Sequence, residues 1–446
     1  MDSKNRVSIL FITLGLSALA FAALLGVLSS MVYIYPDFLK EILPFNQLRP
    51  MHTTSAVSWI ILTATGGLYY YITKIEQVKL RFPLFKKLHL ILFVLTGIGI
   101  YISLATGKMG GREYLEYYPM LTIPILMGWI LFGINYFSSM TQQVKKWPVY
   151  FWMWGTGIIF MIYHLSEAHF WIFSSIRGDF IKDISVQWKS YGSFVGSWNL
   201  LVYGTAIYLM AKIKGDDAIG RGKMSFFFYF LGLTNLMFGW AHHTYIIPTQ
   251  PWIRYVAYGV SMTEWIIFAH IVYGWKKSLS IENKRINQMA YRFLMASDFW
   301  VFFNLTLALL MSIPTLNYYM HGTHITVAHS MGTTIGINTS ILLASVSYII
   351  SDLLNNNRLN ENRIIKLGYY LFNGLLLLFL LVLIGAGVFK AIWMSENLNA
   401  SFGAMQDASS PIFITFVIAG LALYFSLMMV ITPMLKHLSK FLFLNK

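Results

Sequence analysis

Long apolar runs recur twelve times along this 446-residue chain, and nothing else in the sequence restricts its fold as severely. A helix needs roughly 20 apolar residues to cross a bilayer. Within lipid only helices and closed barrels satisfy their own backbone polar groups. The runs lie near 8–34, 52–73, 87–106, 119–138, 149–172, 190–212, 224–247, 254–275, 297–314, 322–351, 366–393 and 410–434. Short loops join them, without internal repeats or low-complexity tracts. The expectation is an all-α integral membrane protein, residues 1–446 forming a single twelve-helix transmembrane domain. Charged residues are only 11% of the chain, against about 25% in soluble domains. The first run, Val7 to Ile34, spans a bilayer and has no small-residue cleavage site, so it reads as a permanent helix rather than a signal peptide.

An even number of helices places both termini on one side. The termini and the loops after even-numbered helices carry 24 of the 33 Lys and Arg residues, and the loops after odd-numbered helices carry 9. The excess of positive charge marks the cytoplasmic side. It therefore predicts cytoplasmic termini in a bacterial inner membrane, and explains the net charge of +15 without nucleic acid.

On that topology eight of the eleven histidines fall in one outer layer: His52, His164, His169, His242, His243, His321, His324 and His329. Ionisable residues inside a membrane are costly and usually functional. One interfacial His often does no more than hydrogen-bond a neighbour. Eight from four helices, in a chain with no cysteine, point to metal or haem ligation. His242 and His243 are adjacent, about 100° apart on a helix, and reach one ion only if the turn is distorted or the metal lies between helices. His329 and Met331 point about 200° apart, so one helix could serve two cofactors; with 23 Met in the chain, Met331 alone reads as packing. Glu264 sits near the middle of helix 8, where a carboxylate needs a partner, a proton or a metal. The outer loop Gly111-Arg112-Glu113-Tyr114-Leu115-Glu116 suits a salt-bridged surface or the binding of propionates and a divalent cation.

Together these residues resemble the catalytic subunit of haem–copper oxidases, and most closely its nitric oxide reductase branch. Trp240-Ala241-His242-His243-Thr244-Tyr245 is similar to that family's Gly-His-His segment, and Ser261-Met262-Thr263-Glu264 to its Ser-Ala-Leu-Glu. The run from His321-Gly322-Thr323 to Ala328-His329 matches its His-Gly-Thr…Ala-Ala-His, and Gly111-Arg112 with Leu115-Glu116 its Gly-Arg-x-x-Leu-Glu. The resemblance implies a haem–copper oxidase-like bundle. It implies His52 as a low-spin haem ligand, His329 as the high-spin haem ligand, and His242 and His243 on a non-haem iron or copper. Glu264 would be the carboxylate near that metal, and Glu116 a calcium ligand beside haem propionates.

Two departures stand out. The family has a second helix-10 His where this chain has Met331, which implies His52/Met331 coordination and a raised potential. The family's helix-6 His and two glutamates align with Tyr191, Val195 and Asn199. Tyr191, Glu264 or a helix-5 His would have to complete the metal site, since two histidines rarely hold a metal tightly.

The function so implied is reduction of NO to N2O at a high-spin haem (b-type, like its low-spin partner) and a non-haem metal. Glu264 and Tyr191 would be the catalytic side chains. The implied electron donor is a membrane-anchored cytochrome c subunit, or quinol. NO dismutation, or a non-catalytic haem sensor or electron-transfer subunit, are the alternatives. An O2 reductase fits less well without identifiable proton-channel carboxylates and lysines, and a transporter does not explain the histidine layer.

Overall fold

The computed structural model describes residues 5–443 apart from 76–77, 141–142, 246–247, 355–358, 360–361 and 398; for 242 and 261–269 it describes the backbone only. The described residues are helical and contain no strand. Twelve long helical segments follow one another: α1 Arg6–Met31, α2 Phe45–Ile72, α3 Pro83–Ala105, α4 Thr122–Ser139, α5 Val149–Glu167, α6 Phe180–Lys214, α7 Lys223–Phe238, α8 Pro251–Ser278, α9 Gln288–Ser312, α10 His324–Leu354, α11 Arg363–Glu396 and α12 Phe402–Phe443. Nine of these regions qualify as membrane spans on length and apolarity alone among the described residues. Of the other three, α2 and α5 are diluted by polar residues, His52 and His164 among them, and α8 contains side chains outside those described.

Local chemistry sets several ends. Pro83 and Pro251 open α3 and α8, where the missing N–H costs nothing. The Asp179 carboxylate caps α6 by accepting from the N–H groups of Ile181 and Lys182, and Gly215 ends it at φ 82°. The structure starts α6 ten residues before the apolar run expected at 190. Those residues include Lys182, Asp183 and Lys189, whose charges lower the hydropathy without opposing helix formation.

α1 packs on α2 and α12, α11 on α12, α5 on α6, α3 on α4 and α9 on α10. Within their most apolar stretches, α6 is 78% buried and α10 72%, but α3 only 28%. Thus α6 and α10 form the centre, while α3 turns most of its surface towards lipid. Thr73 at the end of α2 donates to the Asn5 side chain at 3.1 Å, so this end of the bundle carries the amino terminus.

α10 is irregular. An α-helical turn, His324–Met331, passes into a π-helical stretch, Gly332–Asn338, and then back into α-helix at Thr339. Such π segments are uncommon and cluster at functional sites. Gly332 faces the Asn304 amide of α9 so closely that a Cβ there would collide with it.

Candidate functional site

A cavity of about 590 Å³ lies among α1, α2, α6, α7, α9, α10, α11 and α12. Its walls include His52, Tyr191, His243, His324, His329 and Met331. The volume falls in the range of cofactor and ligand sites.

His52 is the best-defined group. Its Nδ1 lies 2.8 Å from the Ala22 carbonyl of α1. A carbonyl only accepts, so Nδ1 carries the hydrogen and Nε2 keeps the lone pair needed for ligation. Metal-bound histidines are commonly oriented by such a second hydrogen bond. Gly26 of α1 lies against the same ring: a Cβ there would sit 2.9 Å from Cε1 and 3.1 Å from Nδ1. A side chain at 26 would displace the imidazole.

On the other side, the His243 and His329 rings are 6.4 Å apart, inclined at 41°. His243 ends a 3₁₀ turn, Gly239–His243, that tightens the exit of α7. The His243 ring stacks on Trp188 of α6 at 5.3 Å and 8°. Tyr191, one turn further on, is 6% exposed, and its hydroxyl has no hydrogen-bond partner among the described residues. Val195 and Asn199 continue the same face and line the cavity, with Asn199 Oδ1 also unpartnered there. The four helix-6 positions, Trp188, Tyr191, Val195 and Asn199, therefore form one wall.

Three histidines of the expected layer are placed elsewhere. His164 donates Nδ1–H to Glu167 at 2.9 Å, and Lys189 holds the same carboxylate at 2.6 Å. His169 donates to the Leu165 carbonyl at 2.9 Å and meets Thr122 Oγ1 at 2.9 Å through its other nitrogen. Neither lines the cavity, and nor does His321. Helix 5 thus does not supply the missing ligand. The side chains of His242 and Glu264, both expected at the metal, lie outside the described residues. No group of three or more His, Asp or Glu side chains able to hold a metal occurs among the described residues.

The outer loop is a charge network. Arg49, one turn before His52, reaches Glu116 at 2.7 Å and Glu113 at 3.3 Å, and Arg112 reaches Asp183 at 2.6 Å. Burial holds the Glu116 carboxyl above its ordinary value, with Arg49 opposing. Glu116 Oε2 is buried without a protein partner among the described residues. Between the two glutamates Tyr114 adopts φ 68°, a conformation that is uncommon outside glycine. The turn inserts its ring into the cavity wall, edge-on to Tyr191 at 6.2 Å.

Arg49 and Trp188 were not singled out from sequence, and Tyr114 stood out there only as part of its loop. Trp188 carried a usable signal, since it lies three residues before Tyr191 on one helical face.

Comparison with known proteins identifies the family. Residues 6–435 match the family model for cytochrome c and quinol oxidase polypeptide I. The chain belongs to that family, the haem–copper oxidase subunit I proteins, and is a multi-pass membrane protein of an oxidoreductase class. Among individual relatives it is 25% identical to a nitric oxide reductase subunit of Stutzerimonas stutzeri, over 86% of this chain and 83% of that protein. It is 21% identical to the cbb3-type cytochrome c oxidase subunit CcoN1 of the same organism, over 91% and 89%. A haem–copper terminal oxidase dimer solved by cryo-electron microscopy superposes with a TM-score of 0.74 at 13% identity, covering 98% of this chain and 84% of that one.

Proposed function

We propose that the protein is a divergent nitric-oxide-reductase-like enzyme that converts two NO, two electrons and two protons to N2O and water. The observation that carries this reading is one cavity walled by His52, His243, His329 and Met331, with Tyr191 where the family has a histidine. When bound, two b-type haems and a non-haem iron or copper supply electron transfer and gas binding. His52 and Met331 would hold the low-spin haem and His329 the high-spin haem. His242, His243, Tyr191 and Glu264 would hold the non-haem metal. Arg49 is placed to neutralise a propionate or Glu116, and Glu116 to bind calcium. Trp188 fixes the plane of the His243 ring, and the apolar Val195 restricts water on that wall. The charge asymmetry favours cytoplasmic termini and a cavity in the outer half, and a membrane-anchored cytochrome c subunit, as the resemblance implies, would be the electron donor.

The loss of imidazole and carboxylates from the α6 wall favours one second reading, NO dismutation to N2 and O2, because fewer protonatable groups face the cavity. Anaerobic turnover of purified protein with NO, followed by gas analysis and by haem and metal stoichiometry, separates the two. N2O as product is the expected result; N2 with O2 would establish dismutation, and a protein without haem would sink both.

The approach of Gly26 to His52 gives a sharper test of the low-spin site. Gly26→Val should break the Nδ1–Ala22 hydrogen bond and abolish or shift the low-spin haem bands, leaving those of the high-spin haem. Unchanged low-spin bands would remove His52 as a ligand.

A further inference from the structure

Below the cavity, a stripe of buried polar residues runs down the seam between α2 and α10. Asn338, Ser345 and Asp352 recur every seven residues on α10, a spacing that drifts only about 20° per repeat and so keeps one face. That face runs along α2 in parallel register, its contacts passing from Trp59 to Tyr70 and Tyr71 as α10 passes from Thr339 to Asp352. At the cavity floor Trp59 donates its indole N–H to Thr339 Oγ1 at 3.0 Å, and both residues line the cavity. Two turns lower, Tyr71 Oη lies 2.5 Å from Ser345 Oγ, and a Cβ at Gly67 would be 3.3 Å from the same oxygen. Lower again, Asp352 accepts from the Tyr70 hydroxyl and pairs with Lys74 at 2.8 Å. The side chains of Lys74 and Asp352 are 43% and 34% exposed. They stand at the end of the bundle that carries the amino terminus, near Thr73 and Asn5. Tyr208 of α6 and Tyr348 of α10 pack at a tilt against Tyr71, ring centroids 4.5 and 6.5 Å away, and close the sides.

The middle of the stripe is under-satisfied. Asn338 is fully buried, and neither Nδ2 nor Oδ1 has a partner among the described residues. The same holds for Ser340 Oγ and Thr65 Oγ1. Unpaired amide and hydroxyl groups in a membrane interior are unfavourable, and ordered water is the usual remedy in a polar buried site.

We propose that this seam is a hydrated proton route, with Asp352 at its mouth, Tyr70, Tyr71 and Ser345 along its length, and Asn338 holding water beneath the cavity. Protons enter from the Asp352 side and reach the cavity floor at Thr339. No bond other than those to the transferred protons changes along it. The proposal rests on the reading of the cavity as a proton-consuming redox site.

Its tests separate the two. Hydroxyl-radical footprinting of the purified full chain, which needs no substrate, should label the buried Tyr71 ring, and Asn338→Leu should suppress that label several-fold. Electrochemical reduction of the haems in vesicles, read with a pH dye on the Asp352 side, should show proton uptake. Asp352→Asn should slow this uptake about a hundredfold, the scale of a positioned proton-transfer group, with Asp352→Glu restoring it and the haem spectra unchanged throughout. An unlabelled Tyr71, labelling indifferent to Asn338→Leu, absence of uptake, or uptake unaffected by Asp352→Asn would each overturn the route. Uptake that depends on Asp352 in a protein without NO turnover would support the route and overturn the functional reading alone.

Discussion

His329→Ala is expected to leave one haem where the unaltered protein has two, and to lower NO turnover by about a thousandfold or more, as when one member of a cooperating site is removed. Met331→Ala should instead retain both haems, or weaken only the low-spin one, and shift that haem's optical and EPR signature. The reasoning begins with geometry. Both residues line the same cavity but lie on opposite sides of α10, about 200° apart. The His329 ring faces His243 across 6.4 Å, so it serves the side of the cavity that holds the Trp188–Tyr191 wall. His52 enters from α2 with Nδ1 already committed to Ala22, which leaves Met331 as the nearest counterpart in sequence to the family's second histidine. The backbone supports the division: Met331 is the last residue before the π-helical stretch. Haem stoichiometry by pyridine haemochrome, with low-temperature EPR of each variant, checks both expectations. Two haems retained in His329→Ala, or an unchanged low-spin signal in Met331→Ala, would show that the ligands have been assigned to the wrong residues.

Much of this architecture is legible in sequence because lipid imposes a simple rule on length and polarity. All twelve expected spans have a helical counterpart. The histidine layer is less legible. Depth along a helix can be read from a span boundary, but the direction a side chain faces depends on its neighbours. His164 faces Glu167 and Lys189, and His169 faces Thr122, so among the described side chains the layer contributes His52, His243, His324 and His329 to the cavity lining. The π-helical stretch in α10 has no period of its own in the sequence. The early start of α6 was hidden by charges that pair with partners distant in the chain, Asp183 with Arg112 and Lys189 with Glu167. Trp188, which orients His243, lies in that hidden stretch. The polar stripe of α10 was missed for a related reason: Asn338, Ser345 and Asp352 are single polar residues in an apolar run, and only contact with α2 joins them.

Tyr191→Phe distinguishes a ligand from a relic by the direction of its effect. The Tyr191 hydroxyl is buried and has no hydrogen-bond partner among the described residues. Leaving such a group unsatisfied costs about 1–3 kcal/mol. If nothing binds it, Phe should stabilise the protein slightly and leave metal content unchanged. If the oxygen is a ligand, Phe should lower retention of the non-haem metal by roughly 10–100-fold or more, since even supporting residues of metal sites are worth that much. It should also abolish any phenolate–iron charge-transfer band. The second outcome is expected, because Tyr191 stands one turn from the Trp188 ring that holds His243 and on the same cavity wall. Tyr191→His completes the test. An imidazole at 191 restores the family's donor type in place of phenolate, so this variant should bind metal at least as well as the unaltered chain while losing the charge-transfer band. Metal analysis of the three proteins after identical dialysis gives the answer. Equal metal in all three, with Tyr191→Phe the most heat-resistant, would exclude the phenolate and place the remaining ligands on α7 and α8.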